Sequence, residues 1–174
     1  MKPIKLLFTV LSVLVYACII CYLAIAAPLL FGFHPVVVLS GSMEPTYHVG
    51  GVIYYKSVPF SEIEVGDPIT FKMGNDGTMA THRVIKKDEI QQQFNTRGDA
   101  NPSDDPNPVS YEMVVGKASK FCIPYAGYFV NYGRQLYVII AMAAVLILNA
   151  ALDILFPEKK KENRSDAETG NQGE

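Results

Sequence analysis

The chain reads as mainly β: a small extracytoplasmic β-domain between two transmembrane helices. Three observations predict this. From Leu6 to Phe33 there is no charged residue, about 28 positions, where roughly 20 suffice to cross a bilayer as a helix. A second run, Leu136 to Phe156, is of similar character and carries one charge, Asp153, near its end. Between them lie short runs of β-branched and aromatic residues punctuated by Gly and Pro, with no long amphipathic helix in sight.

The elements follow in chain order. Lys2 and Lys5 precede the first span, and the next cation is Lys56; Lys159, Lys160, Lys161 and Arg164 follow the second span. Positive flanks stay in the cytoplasm, so both ends read as inside and the segment between as outside. That gives a short cytoplasmic N-terminus and anchor over 1–33, an outer domain over 34–135, a second span over 136–156 and a charged tail over 157–174, expected to be disordered. Ala24-Ile25-Ala26 has the small-x-small pattern of a cleaved signal peptide. The apolar run is longer than a signal peptide's core of roughly 7–15 residues, so an uncleaved anchor is expected. In the outer segment, strands are expected at Val36–Leu39, Gly51–Tyr55, Pro68–Lys72, Thr81–Ile85, Ile90–Thr96, Met113–Val115 and Lys117–Ile123. Tyr125, Tyr128, Phe129, Tyr132 and Tyr137 suit an aromatic belt where the second span meets the interface.

Composition removes several classes of function. A net charge of −2 leaves no basic surface for nucleic acid. Three cysteines are an odd number, and Cys18 and Cys21 lie within the first span, so no disulfide framework is implied. His34, His48 and His82 lack metal-ligand spacing, no phosphate-cradling glycine loop is present, and neither a metal nor a cofactor is expected.

The chemistry is expected near Val36-Val-Val-Leu-Ser-Gly-Ser-Met-Glu-Pro-Thr46, where an apolar strand runs into two serines flanking a glycine. One reading is a plain turn. The other is a serine nucleophile presented at a strand end. Serine needs a base within hydrogen-bond reach and gains from a carboxylate that orients the base. Ser42, His82 and Asp105 stand in the outer segment in that order. His34, His48 and Lys86 are rival bases, and in a regular strand Lys86 shares the face of His82 while Lys87 points away. Asp104 is a rival for the orienting carboxylate. The hydrolase elbow G-x-S-x-G is absent, because Ser40 stands at its first glycine.

Four local sequences carry a resemblance. Ser40-Gly-Ser-Met-Glu-Pro45, Val65-Gly-Asp-Pro-Ile-Thr-Phe71, Thr81-His-Arg-Val-Ile85 and Thr96-Arg-Gly-Asp-Ala-Asn101 with Asp104-Asp105 resemble, in order, the conserved boxes of type I signal peptidases, peptidase family S26. Histidine where the common bacterial enzymes carry lysine is similar to the serine–histidine branch of the endoplasmic reticulum, archaea and spore-formers. The resemblance implies a β-domain of signal-peptidase type and a serine endopeptidase that removes signal peptides after small-x-small sites. It implies Ser42 as nucleophile, His82 as base, Asp105 as orienting carboxylate and Asp99 as a supporting residue. The Ser42 backbone N–H and the Ser40 hydroxyl would bind the oxyanion. Val38, Leu39, Ile69 and Phe71 would wall the substrate site, and Met43 would help seat the domain on lipid. The implied partners are secretory preproteins, membrane lipid and the protein-export channel, at the cell membrane with the catalytic domain on the outer face. Gly51 departs from the family, which usually has an acidic residue there. Two rival readings remain at this point: a non-catalytic tethered β-domain that binds peptides or surface partners, and a same-fold protease dedicated to one pilus or biofilm subunit.

Overall fold

The computed structural model describes residues 2–74 and 77–156. The expected disordered tail at 157–174 lies outside the described residues. The fold is mainly β, an antiparallel sheet with an apolar helix at each end. The chain divides into two compact units.

One unit combines the first part of α1 (Lys2–Ala26) with most of α3 (Leu136–Leu155). Residues 3–31 and 136–155 are each long and apolar enough to cross a membrane. Apolar side chains such as Leu6, Val13, Ile147 and Ile154 are exposed all round, as expected of helices whose solvent is lipid. Lys5 Nζ lies 3.1 Å from Asp153 Oδ1 and donates to Phe156 O at 3.2 Å, so the one acid of the second run is paired.

The other unit runs from Cys18 to Ile139. Pro28 lacks the N–H that an α-helix needs, and the chain passes from α1 into a 3-10 turn over Ala27–Phe31. Gly32 closes that turn at φ +80°, donating back to Leu29 O. Seven strands follow: β1 (His34–Val37), β2 (Val52–Lys56), β3 (Pro68–Met73), β4 (Thr78–Asp88), β5 (Gln93–Arg97), β6 (Val109–Ser110) and β7 (Val114–Ile123). They form one sheet in the order β1-β2-β7-β3-β4-β5-β6. A short helix, α2 (Ala126–Gly133), follows β7.

Three differences from expectation have physical causes. The two runs at 113–115 and 117–123 are one strand, because Gly116 lets β7 pass against the Lys56 backbone. The weak run at 81–85 is the middle of an eleven-residue strand, β4, whose outer ends pair although their polar residues hide the alternation. Part of the aromatic belt is the helix α2, with Tyr128 and Tyr132 exposed on it.

Three apolar clusters hold the sheet in shape, and two of them bear on the site. Ile63, Ile69, Phe71, Val84, Phe94 and Val109 are buried together on one side of β3–β5. Met43, Tyr47, Ile53 and Ala118 form the second cluster, against β2 and β7. Burying a side chain of this size contributes about 1.5–3 kcal/mol. The second cluster positions the site, since Met43 is its anchor on the Ser40–Thr46 segment.

Candidate active site

β1 continues its pairing for one residue, with Val38 N–H donating to Gly51 O and Gly50 N–H to Val38 O, both at 2.9 Å. The chain then extends through Ser40 and makes a single 3-10 turn, Gly41–Met43. Met43 is only 2% exposed, which leaves its neighbour Ser42 facing outward. Tyr47 N–H donates to Met43 O at 2.9 Å, and the buried Tyr47 hydroxyl donates to Ser119 O at 2.6 Å. Burial pushes the Tyr47 phenol up to about 12. The serine therefore sits on a turn pinned on its inner side.

His82 arrives on β4, opposite Ile69 of β3. Its Nε2 lies 3.3 Å from Ser42 Oγ and its Nδ1 2.6 Å from Asp105 Oδ2. With the proton on Nδ1, the ring donates to Asp105 and accepts from Ser42. The serine contact, at 3.3 Å, is at the long end for a hydrogen bond. The Phe71 ring meets the His82 ring edge-on, with centroids 6.1 Å apart. Asp105 is held from β5: its N–H donates to Thr96 O at 2.8 Å, and the buried Thr96 hydroxyl donates to Asp105 Oδ2 at 2.7 Å. Asp104 instead faces Arg97, at 3.5 Å, in an exposed pair.

A second network joins the three segments that carry these groups. Arg83 grips Asp99 with two bonds, Nε to Oδ1 at 2.7 Å and Nη2 to Oδ2 at 2.5 Å. Its Nη1 donates to Gly66 O at 2.7 Å, and the Thr46 hydroxyl donates to Asp99 Oδ2 at 2.5 Å. The Arg83 hydrogen bonds hold the Asp99 carboxyl below its ordinary range, against an opposing effect of burial. Ala100 N–H donates to Ser42 O at 2.9 Å. A Cβ on Gly98 would lie 2.6 Å from that same oxygen, so the turn approaches the serine as closely as only glycine allows.

The serine and histidine open into a cleft of 590 Å³. Its walls are mostly apolar and include Val38 and Leu39 from the β1 side and Met79, Ala80 and Thr81 from β4. Leu39 is 86% exposed, so one wall is open to an incoming chain. Ser40 lines the cleft too, its Oγ 3.4 Å from Ser42 Oγ.

The structure thus brings Ser42, His82, Asp105, Ser40, Val38 and Leu39 together. Ile69 and Phe71 do not line the cleft; both are buried in the core cluster on the same face of the sheet as His82, Ile69 with no exposed surface. Met43 is buried and has no surface to offer lipid. His34 stacks on Tyr55, His48 is exposed, and neither lines the cleft. A bulge between Val84 and Lys86 reverses the alternation of β4. Lys87 therefore lies opposite buried Phe94, 4.4 Å over the Phe60 ring, and Lys86 is exposed. At Gly51, a side chain would collide with Cys122 Sγ, so an acidic residue has no room there. Among the described residues there is no His, Cys, Asp and Glu group that could hold a metal. Arg83, Thr96 and Thr46 were missed from sequence. Arg83 could have been found from its place beside His82, since adjacent strand residues face opposite ways and a cation there needs an acid.

A serine, a histidine and a carboxylate in hydrogen-bonded series is the arrangement that serine hydrolases use. Residues 9–90 match the family described as signal peptidase, peptidase S26. The match includes Ser42 and His82 and stops before Asp99 and Asp105. The chain is 37% identical over 122 residues to signal peptidase I W of Bacillus subtilis, covering 68% of this chain and 64% of that protein. It is 34% identical over 127 residues to signal peptidase complex catalytic subunit SEC11C of Rattus norvegicus, covering 65% of this chain and 66% of that protein. Over these stretches the chain is similar to the S26 signal peptidases. It spans a little under two thirds of the length of each of these relatives.

Proposed function

We propose that this protein is a membrane-bound serine endopeptidase that removes signal peptides from secreted preproteins after small-x-small sites. The observation that carries the reading is the hydrogen-bonded series Ser42–His82–Asp105 opening into an apolar cleft. The similarity to signal peptidases supports the substrate class.

The proposed steps follow from the geometry. Ser42 Oγ attacks the carbonyl carbon of the scissile peptide while its proton passes to His82 Nε2. The Nδ1–H to Asp105 contact stabilises the imidazolium that forms, and the Thr96 hydroxyl holds Asp105 in line. The carbonyl oxygen, now negative, is met by the Ser42 backbone N–H and the Ser40 hydroxyl. The C–N bond breaks, His82 returns its proton to the leaving amine, and an ester remains on Ser42. Water then attacks that ester while His82 takes its proton, the C–O bond to Ser42 breaks as His82 returns that proton to Ser42 Oγ, and the acid product leaves. Arg83, Asp99 and Thr46 act as positioning residues, holding the nucleophile segment against the Asp99 turn.

In this reading residues 1–33 and 136–156 anchor residues 34–135, the catalytic domain, at the outer face of the membrane. Anchoring confines enzyme and substrate to one surface, which raises the effective concentration of the scissile bond. Secretory preproteins and lipid are the partners, and the protein-export channel that delivers preproteins is the neighbour this location favours.

The test is cleavage of a preprotein with an Ala-x-Ala site by the full chain in liposomes, beside folded Ser42→Ala and His82→Ala variants. Loss of at least ~10⁴-fold in kcat/KM in both supports the assignment. Undiminished cleavage by Ser42→Ala overturns it. Failure of the wild type on several preproteins favours a binding domain instead.

A further inference from the structure

Residues Met79–His82 of β4 pair with β3 on one side, and among the described residues no strand pairs on the other. β5 takes up that open side from Arg83 onward, with Arg97 directly opposite Arg83. A peptide added as a strand along Met79–His82 would therefore lie in the same slot as β5, end to end with it. It cannot continue past Arg83, because Arg97 already fills the position.

The chain leaves β5 at Arg97 into the turn Gly98–Asn101, closed by Asn101 N–H donating to Gly98 O at 2.9 Å. This turn meets the nucleophile segment through Ala100 N–H and Ser42 O. Asn101 lines the cleft with Ser42 and His82. Its carboxamide packs over Gly98, with Nδ2 2.8 Å from where a Cβ would stand. It makes no hydrogen bond to any described residue. A carboxamide carries two donor hydrogens and an acceptor oxygen, and here all are unused beside the serine.

We propose that the Gly98–Asn101 turn is the stop that fixes which peptide bond reaches Ser42, and that the Asn101 carboxamide is the specificity-determining group that holds the substrate backbone at that stop. The inference rests on the peptidase reading above. A strand that leaves a sheet edge exposes N–H and C=O groups that need new partners. Asn101 offers both kinds of partner where β5 forces the substrate to leave. Small side chains alone define register weakly, because neighbouring small-x-small sites resemble one another. Overlapping sites differ by a slip of two residues, which leaves each side chain on the same face, so only a backbone bond at a fixed point selects between them.

The experiment uses the full chain in liposomes and a preprotein with overlapping sites, Ala-x-Ala-x-Ala, with the mature N-terminus read by mass spectrometry. The wild type releases one dominant product. Asn101→Ala, shown to unfold at the wild-type temperature, releases both products in comparable amounts and raises KM several-fold. Asn101→Gln, which keeps the amide, restores part of the preference. An Asn101→Ala product distribution identical to wild type overturns the proposal, whether or not kcat falls, because a structural role alone would lower rate without moving the cut. A wild type that cuts none of these substrates, or a Ser42→Ala variant that still cuts, overturns the peptidase reading itself and this inference with it.

Discussion

His82 and Arg83 are neighbours in sequence with separate partners. His82 meets Ser42 and Asp105, while Arg83 binds Asp99, Thr46 and Gly66 O. The two carboxylates should therefore fail in different ways. Asp105→Asn is expected to lower kcat/KM by about 10³–10⁴-fold with little change in stability, measured by peptide cleavage and thermal unfolding. Asp99→Ala leaves the part-buried Arg83 unpaired and is expected to cost about 2–4 kcal/mol in denaturant unfolding. The pH dependence of stability follows in sign. Asp99 has its pKa lowered in the fold by the Arg83 bonds, so its contribution is present above the ordinary carboxylate pKa and lost as pH falls through the depressed value. Asp99→Asn should flatten that acid limb. Gly98→Ala is expected to keep the fold and lose at least about 100-fold in activity, because its methyl displaces the carbonyl of Ser42.

At the scale of elements, β4 carries the site and the bulge decides which of its lysines matters. Regular alternation put Lys86 on the His82 face. The extra residue between Val84 and Lys86 hands that face to Lys87, which lies over Phe60 and pairs with Glu89 at 3.0 Å. Lys86→Ala should change neither cleavage nor unfolding by more than about 0.5 kcal/mol. Lys87→Ala should cost about 1 kcal/mol of stability with kcat unchanged. A double comparison of these two variants by denaturation and turnover checks the phase of the strand directly.

At the scale of the molecule, the sheet binds the site to a buried tyrosine, and in the proposed reading the helices anchor it at a membrane. Tyr47 titrates at about 12 in the fold, against an ordinary 10. Its contribution is full below pH 10 and is lost as pH rises toward 12, so Tyr47→Phe should shallow the alkaline unfolding limb, at a cost of about 1 kcal/mol for the lost bond to Ser119 O. The proposed orientation predicts that, in vesicles sealed with the outer face exposed, added protease cuts within residues 34–135 while tags at both termini survive.

Much of this was legible along the chain because the signals were local. The two long apolar helices follow from apolar length, most strands from β-branched runs between turn residues, and the places of Ser42, His82 and Asp99 from short ordered boxes. Between Asp104 and Asp105 the sequence leaned only on spacing; folding separated them, since one side chain faces Arg97 and the other reaches His82. Ile69 and Phe71 were read as substrate walls because they are apolar and near the right box; they do share the face of His82, but the core cluster buries them there. Met43 likewise turned inward. The Arg83–Asp99 pair, the β4 bulge and the Gly98–Ser42 approach join residues far apart in sequence, through contacts that no local pattern encodes. Hydrophobic length and turn chemistry are properties of a few consecutive residues, so the sequence alone determined them. Side-chain direction at a site depends on register and packing among distant strands, so only the tertiary structure decided it.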